Sequence, residues 1–310
     1  MFVIFEKIKR RVKRKLSKVN LRKLLELEKR RRGVDTEQLV FIGMADVANF
    51  YWCAMKSLLN NREMELAYFA SYLYDRLLYS LELGYVKRIP KEEKKLLLIG
   101  DEITFDDVER LLKKREKEKL GESPPYMRFS IDTPKGIFKF MVLNPRLSPE
   151  FREKITGLAE KKGIRILNLE DAPSKFRGRV CQEFLAEKYH TIRWNFEWKN
   201  YVILGVPDGI TEKFVYEFKT TGSDFLLRHI KHCALVQADL YGYFFKRENK
   251  RVQVYILRNG KTVTWQEKVD EKEAVSLLEA FKQLDETGEA IPPERWKCKS
   301  CKFKNTCSIS

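Results

Sequence analysis

Three cysteines lie within the last thirteen residues of the chain, and this cluster limits its possible folds more than any other feature. Cys298, Cys301 and Cys307 have the spacing C-x2-C-x5-C, with lysines between and around them. Thiols this close together favour a bound metal ion or metal cluster. The lysines would offset the negative charge of metal-bound thiolates. Such a site needs a fourth ligand from elsewhere in the chain.

The total of six cysteines in 310 residues is too small for a disulfide scaffold. The first residues lack the apolar run of a signal peptide, and no window of about 18 apolar residues occurs. We therefore expect a soluble, cytoplasmic protein with reduced cysteines and no stable membrane insertion.

The chain is strongly basic. The chain has 61 Lys and Arg against 44 Asp and Glu, a formal net charge of +17. A thermophile-like composition would explain many charges but not their sign, so we expect a polyanionic partner, first of all DNA. Residues 1–32 hold 14 basic and three acidic residues. Their apolar spacing predicts a basic amphipathic helix on a membrane surface or nucleic acid, or a solvated helix.

The hydrophobic pattern predicts five segments. These are a basic N-terminal segment (1–34), a helical part (35–86), a charged accessory insertion (87–175), a core (176–270), and a C-terminal helix with the cysteine cluster (271–310). Apolar spacing predicts helix from Phe41 to Leu83, from Gly178 to Tyr189 and from Phe225 to Phe245. Alternation predicts strands at Tyr201 to Gly205 and Phe214 to Thr220. This order indicates an α/β fold with a small mixed sheet flanked by helices.

Two carboxylates and a lysine stand out in the predicted core. If the strands around Asp208 and Glu217 form a hairpin that turns at residues 212 and 213, the two acids lie directly opposite each other. Alternation then puts Lys219 on the same face as Glu217. Opposed carboxylates repel unless a cation lies between them, and Mg²⁺ and Mn²⁺ prefer oxygen ligands. The alternative is an incidental charge set on a surface hairpin.

This arrangement resembles the motif that names the PD-(D/E)xK nucleases. The resemblance implies a restriction-endonuclease-like core in which Asp208 and Glu217 bind Mg²⁺ or Mn²⁺. It also implies that Lys219 assists phosphodiester hydrolysis by positioning or activating water and offsetting charge on the phosphate.

Two further motifs resemble the RecB-like branch of that superfamily. Gln237 and Tyr241 stand four residues apart on a predicted helix and look like its Q-x-x-x-Y motif, which implies that both face the active site and DNA. Upstream, Gly178 followed by Gln182 resembles a helix motif in which a metal-binding histidine occupies the position of Gln182. His190 lies two turns on from Gln182 and is either a substitute ligand or an ordinary histidine.

The fourth cysteine ligand is also suggested by resemblance. The segment from Asp46 to Cys53 is similar to the Asp-x-x-x-aromatic-x-x-Cys segment of iron–sulfur RecB-like nucleases, including the CRISPR-associated family and the AddB subunit. This implies a [4Fe–4S] cluster held by Cys53 and the three C-terminal cysteines. A zinc site would suit four cysteines as well. Cys181 and Cys233 lack a nearby cysteine and are predicted to be small buried residues.

Three functions follow from these patterns. The first is a metal-dependent DNA nuclease, expected to be an exonuclease on single-stranded or unwound DNA, with CRISPR adaptation or repair proteins as partners. The second is a catalytically inactive iron–sulfur module that binds nucleic acid or supports assembly. The third is a zinc-stabilised adaptor in which the acidic hairpin is accidental.

Overall fold

The computed structural model describes residues 2–32, 39–299 and 301–307. Helices make up about half of these residues, and small mixed sheets complete an α/β fold, as predicted. The helices are α1 Phe2–Leu16, α2 Leu21–Arg32, α3 Met44–Ala48, α4 Ala54–Leu83, α5 Glu93–Leu98, α6 Phe105–Glu116, α7 Pro149–Lys161, α8 Ser174–Leu185, α9 Asp224–Phe245, α10 Glu271–Thr287 and α11 Arg295–Lys299.

The strands form three sheets, with the orders β1-β6-β5, β10-β9-β8-β7 and β2-β3-β4. Each sheet contains one parallel and at least one antiparallel pair. The strands are β1 Val40–Gly43, β2 Tyr126–Thr133, β3 Gly136–Leu143, β4 Arg165–Ile166, β5 Trp194–Trp198, β6 Tyr201–Gly205, β7 Gly209–Ile210, β8 Phe214–Thr221, β9 Asn249–Ile256 and β10 Lys261–Lys268.

The centre of the second sheet is a β-α-β unit. Strands β8 and β9 are parallel neighbours, and α9 makes the crossover between them. The helix packs against both strands and against α10. Its C-terminal half is buried almost all round, which explains the run of apolar residues there. This unit fixes the position of β8 on both sides, since β7 pairs with its other edge.

The predicted helix from Phe41 to Leu83 is wrong at its start. Val40–Gly43 is a strand that pairs in parallel with β6, and helix α4 begins only at Ala54. A strand buried on both faces has a continuous apolar run, which periodicity cannot distinguish from a short buried helix. The partner strand lies about 160 residues away in sequence, so no local signal identifies the pairing.

The basic N-terminal segment is packed into the protein. Val12 and Leu24 are fully buried in one apolar cluster with Phe69 and Leu73 of α4. The apolar side of α1 and α2 is therefore covered by α4, while many of the basic side chains lie at the surface. The predicted boundary after residue 34 lies outside the described residues.

The region predicted as an insertion, residues 87–175, has two parts. Its first part contains α6, whose Val108 and Leu111 are buried in the main core. Its second part, from β2 to β4, has a small apolar cluster of its own, in which Met141 and Ile155 pack together. Val142 of β3 also packs against Phe184 of α8, which connects this part to the core. Among the described residues, no helix has the length and apolar character needed to cross a membrane.

Leu24→Ala tests whether the basic N-terminal segment belongs to the fold. Leu24 is fully buried against α4, so the substitution leaves a cavity and should lower the free energy of unfolding by about 2–5 kcal/mol. Chemical denaturation measures the change. Leu158→Ala is the matched control, because Leu158 of α7 is 52% exposed and should cost less than about 0.5 kcal/mol. Equal losses in the two variants would contradict the packing.

Candidate functional site

The hairpin of β7 and β8 brings the predicted acidic pair together. Gly209 pairs with Tyr216 and Ile210 with Val215, so the register predicted from the sequence is confirmed. Thr211 closes the turn, its N–H donating to the Phe214 carbonyl oxygen at 2.9 Å. Continuing this register by one residue places Asp208 opposite Glu217. A hydrogen bond holds Asp208 in place, since its Oδ2 accepts from the Phe218 N–H at 2.8 Å.

Glu217 has an unusual environment for a carboxylate. Its side chain is buried, with Oε1 lying 2.5 Å from the Lys219 Nζ. Its other oxygen, Oε2, is buried and has no hydrogen-bond partner among the described residues. A buried oxygen without a partner is costly, and it suggests a position prepared for a ligand.

The pKa values of Glu217, Asp208 and Lys219 are all shifted by burial and by the charges of one another. Burial raises the pKa of Glu217 to about 8, and the negative charge of Asp208 adds to the effect. Burial also raises the pKa of Asp208, against the opposing influence of Lys219. For Lys219, burial acts to lower the pKa, but the charges of Glu217 and Asp208 outweigh it and raise the value. The positive charge of one lysine therefore has to balance two carboxyl groups.

Gln182 is brought to the acidic pair, whereas His190 is not. The Gln182 side-chain amide on α8 donates a hydrogen bond to Asp208 Oδ1. The predicted helix from Gly178 to Tyr189 is wrong at its end, because α8 stops at Leu185 and Ala186 is extended. His190 lies beyond the helix, and its Nε2 is 3.0 Å from the carbonyl oxygen of Glu118.

Gln237 and Tyr241 approach the same site from α9. The Gln237 Nε2 donates to the Tyr241 hydroxyl at 3.1 Å, and both side chains are buried. Burial raises the pKa of Tyr241, and the charge of Glu217 raises it further. The spacing of four residues aligns the two side chains along the helix. The structure therefore brings together Asp208, Glu217, Lys219, Gln182, Gln237 and Tyr241.

Gly205 and Met44 also shape the site, although neither was predicted to do so. A Cβ atom at Gly205 would lie 2.8 Å from the Met44 Cε and 3.2 Å from the Tyr241 Cε1, so a larger residue would require the end of the Met44 side chain to move. This close approach packs Tyr241 against the end of β6, three residues before Asp208. A glycine at the end of a buried strand is a signal of close approach and could have indicated Gly205. No signal pointed to Met44, because its neighbours are distant in sequence.

The four predicted cysteine ligands line a single cavity. Cys53 precedes α4, and Cys298, Cys301 and Cys307 come from the C-terminal tail, more than 240 residues later. Burial raises the pKa of Cys53, and the charges of the three C-terminal thiols raise it further. Cys181 and Cys233 are buried elsewhere, as predicted.

The surroundings of this cavity suit a negatively charged group. Lys56, Lys297 and Lys304 line it together with the thiols and Trp52. Cysteine thiolates are the ligands of iron–sulfur clusters and of structural zinc ions. Within residues 2–32, 39–299 and 301–307, the four thiols share this cavity, but no three His, Cys, Asp or Glu side chains are arranged as a formed metal site.

Comparisons with known proteins assign no family. No family model matches the chain, and no curated protein matches it. One similar solved structure, of a protein named SSO0001, is 21% identical over 65% of this chain and 96% of its own chain, with a TM-score of 0.35. A TM-score this low does not establish a shared fold.

Glu217→Gln should stabilise the protein in the absence of divalent metal. Because burial raises the pKa of Glu217 to about 8, the folded chain must near neutral pH either protonate this carboxyl or bury its charge beside Asp208, and the amide avoids both costs. We therefore expect a gain of about 1 kcal/mol or more in the free energy of unfolding. Mn²⁺ should raise the melting temperature of the parent protein and not of this variant.

Glu212→Gln is the control, because this carboxylate lies in the exposed turn of the same hairpin. It should leave the melting temperature unchanged with and without Mn²⁺. A metal-free Glu217→Gln protein less stable than the parent would show that the carboxylate contributes to folding rather than to a ligand site.

Proposed function

We propose that this chain is a divalent-metal-dependent DNA nuclease of the PD-(D/E)xK superfamily, with a RecB-like core and a [4Fe–4S] cluster. The observation that carries the proposal is the buried, unpartnered Oε2 of Glu217 opposite Asp208. Two opposed carboxylates with an unsatisfied oxygen are what a hard cation would complete. Gln182, Lys219, Gln237 and Tyr241 surround this position.

Asp208 and Glu217 are the residues that would hold Mg²⁺ or Mn²⁺. A bound divalent ion supplies Lewis-acid stabilisation of the phosphate and lowers the pKa of its water. Asp208 is kept in position by the Phe218 N–H and by Gln182, both of which donate to its carboxylate. A backbone N–H thus fixes the carboxylate of Asp208, whereas Glu217 is held by burial.

Lys219 supports the reaction through its charge. Its side chain is one-third exposed, and the ammonium group contacts Glu217 Oε1. A phosphodiester bound beside the acidic pair would meet this ammonium group as negative charge builds up on the phosphate oxygens. Gln237 and Tyr241 act as positioning residues, because their hydrogen bond and burial fix the back of the site.

The cysteine cavity is proposed to hold the iron–sulfur cluster through Cys53, Cys298, Cys301 and Cys307. A cluster bound there would join residue 53 to the C-terminal tail and close a very long loop. Its role would be structural, because a group that binds only the folded chain stabilises it. The lysines around the cavity would offset the cluster charge.

The proposed substrate is single-stranded or unwound DNA, and the proposed reaction is exonucleolytic cleavage. The net charge of +17 favours a polyanion. The proposal also includes a cytoplasmic location and partners among CRISPR adaptation or repair proteins, on the resemblance alone.

A second candidate function is a catalytically inactive iron–sulfur module that binds nucleic acid. The observation in its favour is Gln182, whose amide N–H occupies Asp208 Oδ1, an oxygen that a metal would otherwise use. An amide is also a weaker metal ligand than imidazole and cannot exchange protons near neutral pH.

Metal-dependent cleavage separates these two functions. We expect Mn²⁺-dependent hydrolysis of single-stranded DNA, and a loss of at least 100-fold in Asp208→Ala and Lys219→Ala, because each removes a group needed in the transition state. Gln182→Ala should retain activity lowered about tenfold or more, as for a residue that orients a ligand. Product formation on a labelled oligonucleotide measures all three.

Glu212→Gln serves as the control and should cleave like the parent. DNA binding without cleavage by the parent would favour the inactive module. Cleavage that survives in both Asp208→Ala and Lys219→Ala would place the active site elsewhere.

The cysteine site is tested by metal content. Protein purified without oxygen should contain about four iron atoms per chain and absorb broadly in the visible range. Cys53→Ser should lose the iron and melt at a lower temperature, because the tail is then no longer joined to α4. Cys181→Ala, which alters a cysteine outside the cavity, should keep its iron. Zinc in place of iron in the parent would disprove the cluster.

A further inference from the structure

Four aromatic side chains form a cluster next to the cysteine cavity. Trp52, Phe225, His229 and Trp296 come from the segment before α4, from α9 and from α11. Phe225 is 64% exposed and Trp296 is 36% exposed. Large apolar rings that lie side by side at the surface are typical of binding sites.

The ring geometry leaves room for a stacking partner. Trp296 contacts Trp52 at 5.5 Å, His229 at 5.9 Å and Phe225 at 6.4 Å between ring centroids. The interplanar angles of these contacts are 89°, 64° and 57°, so the rings support one another by their edges and tilted faces. Nucleobases stack on the faces of aromatic side chains without regard to sequence.

Cations surround the cluster. The Lys297 Nζ lies 5.0 Å from the centre of the Trp52 ring and 5.6 Å from that of Trp296, and the Arg228 guanidinium lies 5.7 Å from Phe225. Glu294 is the opposing charge here, and it pairs with Lys297 at 3.2 Å. Because Lys297 is largely buried between the rings, it holds them in place, whereas Arg228 lies at the surface.

Helix α9 connects this cluster to the acidic pair. Phe225, His229, Cys233, Gln237 and Tyr241 follow one another at intervals of four residues and form a ridge along the helix. From Phe225 to Gln237 the axial distance is about 18 Å. Cys233 lies between the two ends, and the charges of Lys219 and Lys297 both act to lower the pKa of its thiol, against a larger rise from burial.

A groove opens beside the cluster. It has a volume of about 870 Å³ and is lined by Trp52 and Lys297 together with residues of α10 and the segment that follows it. Pockets of this size accommodate ligands larger than a single base. Trp52 of the cluster and the neighbouring Lys297 thus also line this groove.

We infer that the aromatic cluster is a base-stacking subsite for the unpaired end of a nucleic-acid strand. Phe225 and Trp296 provide the stacking faces, and Arg228 meets the flanking phosphates. The strand would continue toward Asp208 and Glu217 over the surface beside α9, because Cys233, Gln237 and Tyr241 on the helix ridge are buried. The axial distance corresponds to about five stacked nucleotides at most. The course toward the acidic pair rests on the proposed nuclease function, but the binding of bases does not.

The test measures binding to the full-length protein without added divalent metal, so that no cleavage occurs. The probe is a fluorescently labelled oligothymidylate of about ten nucleotides, within the usual site size of such surfaces. Phe225→Ala and Trp296→Leu should each weaken its binding by about fivefold or more. Phe225→Tyr should bind like the parent, because it retains the stacking ring.

Two controls separate stacking from charge and from misfolding. Phe138→Ala removes a phenylalanine of β3 with a similar exposure of 46%, and it should leave binding unchanged. An abasic oligonucleotide of the same length keeps the phosphates and should bind the parent about fivefold more weakly or worse. Iron content and melting temperature show whether Trp296→Leu disturbs the neighbouring cysteine cavity, while Phe225→Ala tests the subsite independently.

The results distinguish this inference from the proposed function. Loss of oligothymidylate binding in Phe225→Ala supports the subsite even if the parent cleaves nothing. Equal binding of abasic and normal strands, or undiminished binding by Phe225→Ala, overturns it even if Mn²⁺-dependent cleavage is found. Oligouridylate bound more tightly than oligothymidylate would support the subsite and assign it to RNA.

Discussion

The opposition of Asp208 and Glu217 is the constraint on which the rest of the site depends. Two carboxylates face each other across a hairpin, and one of them is buried. The protein reduces the repulsion in three ways: Lys219 contacts Glu217, the Phe218 N–H donates to Asp208, and Gln182 donates to Asp208 as well. One buried oxygen still has no partner in the described structure. Such an arrangement persists only where the surrounding fold is rigid enough to hold it.

That rigidity comes from the β8-α9-β9 unit. Strand β8 pairs with β9 along its whole length, including Glu217 and Lys219, and with β7 at Val215 and Tyr216, so its backbone is held firmly at the site. Helix α9 covers both strands and also carries Gln237 and Tyr241 to the acidic pair. The same helix reaches the aromatic cluster at its other end. One element therefore positions the proposed metal site and faces the tail that bears the cysteines, which couples the two sites through a single rigid body.

The sequence predicted the parts of the site whose geometry is local. The hairpin register followed from equal distances to the turn, and the alignment of Gln237 with Tyr241 followed from helical spacing. The sequence did not predict the elements whose structure depends on contacts with residues distant in the chain. Strand β1 was predicted as helix because its partner β6 is remote in sequence. The helix predicted to reach Tyr189 ends at Leu185, because the Tyr189 ring packs with Phe214 and Tyr216 of the neighbouring strand.

The net charge of +17 overstates what is available to a nucleic acid. Many cations are used inside the fold: Lys250 pairs with buried Asp239 at 2.6 Å, Arg193 with buried Asp75 at 2.5 Å, and Arg31 with buried Glu28 at 2.8 Å. A charge held in a buried pair cannot also release counterions from a phosphate backbone. The sequence can count the excess of basic residues but cannot say which of them are committed to such pairs. The proposed binding of a strand would therefore rely on cations that stay exposed, such as Arg228 beside the aromatic cluster.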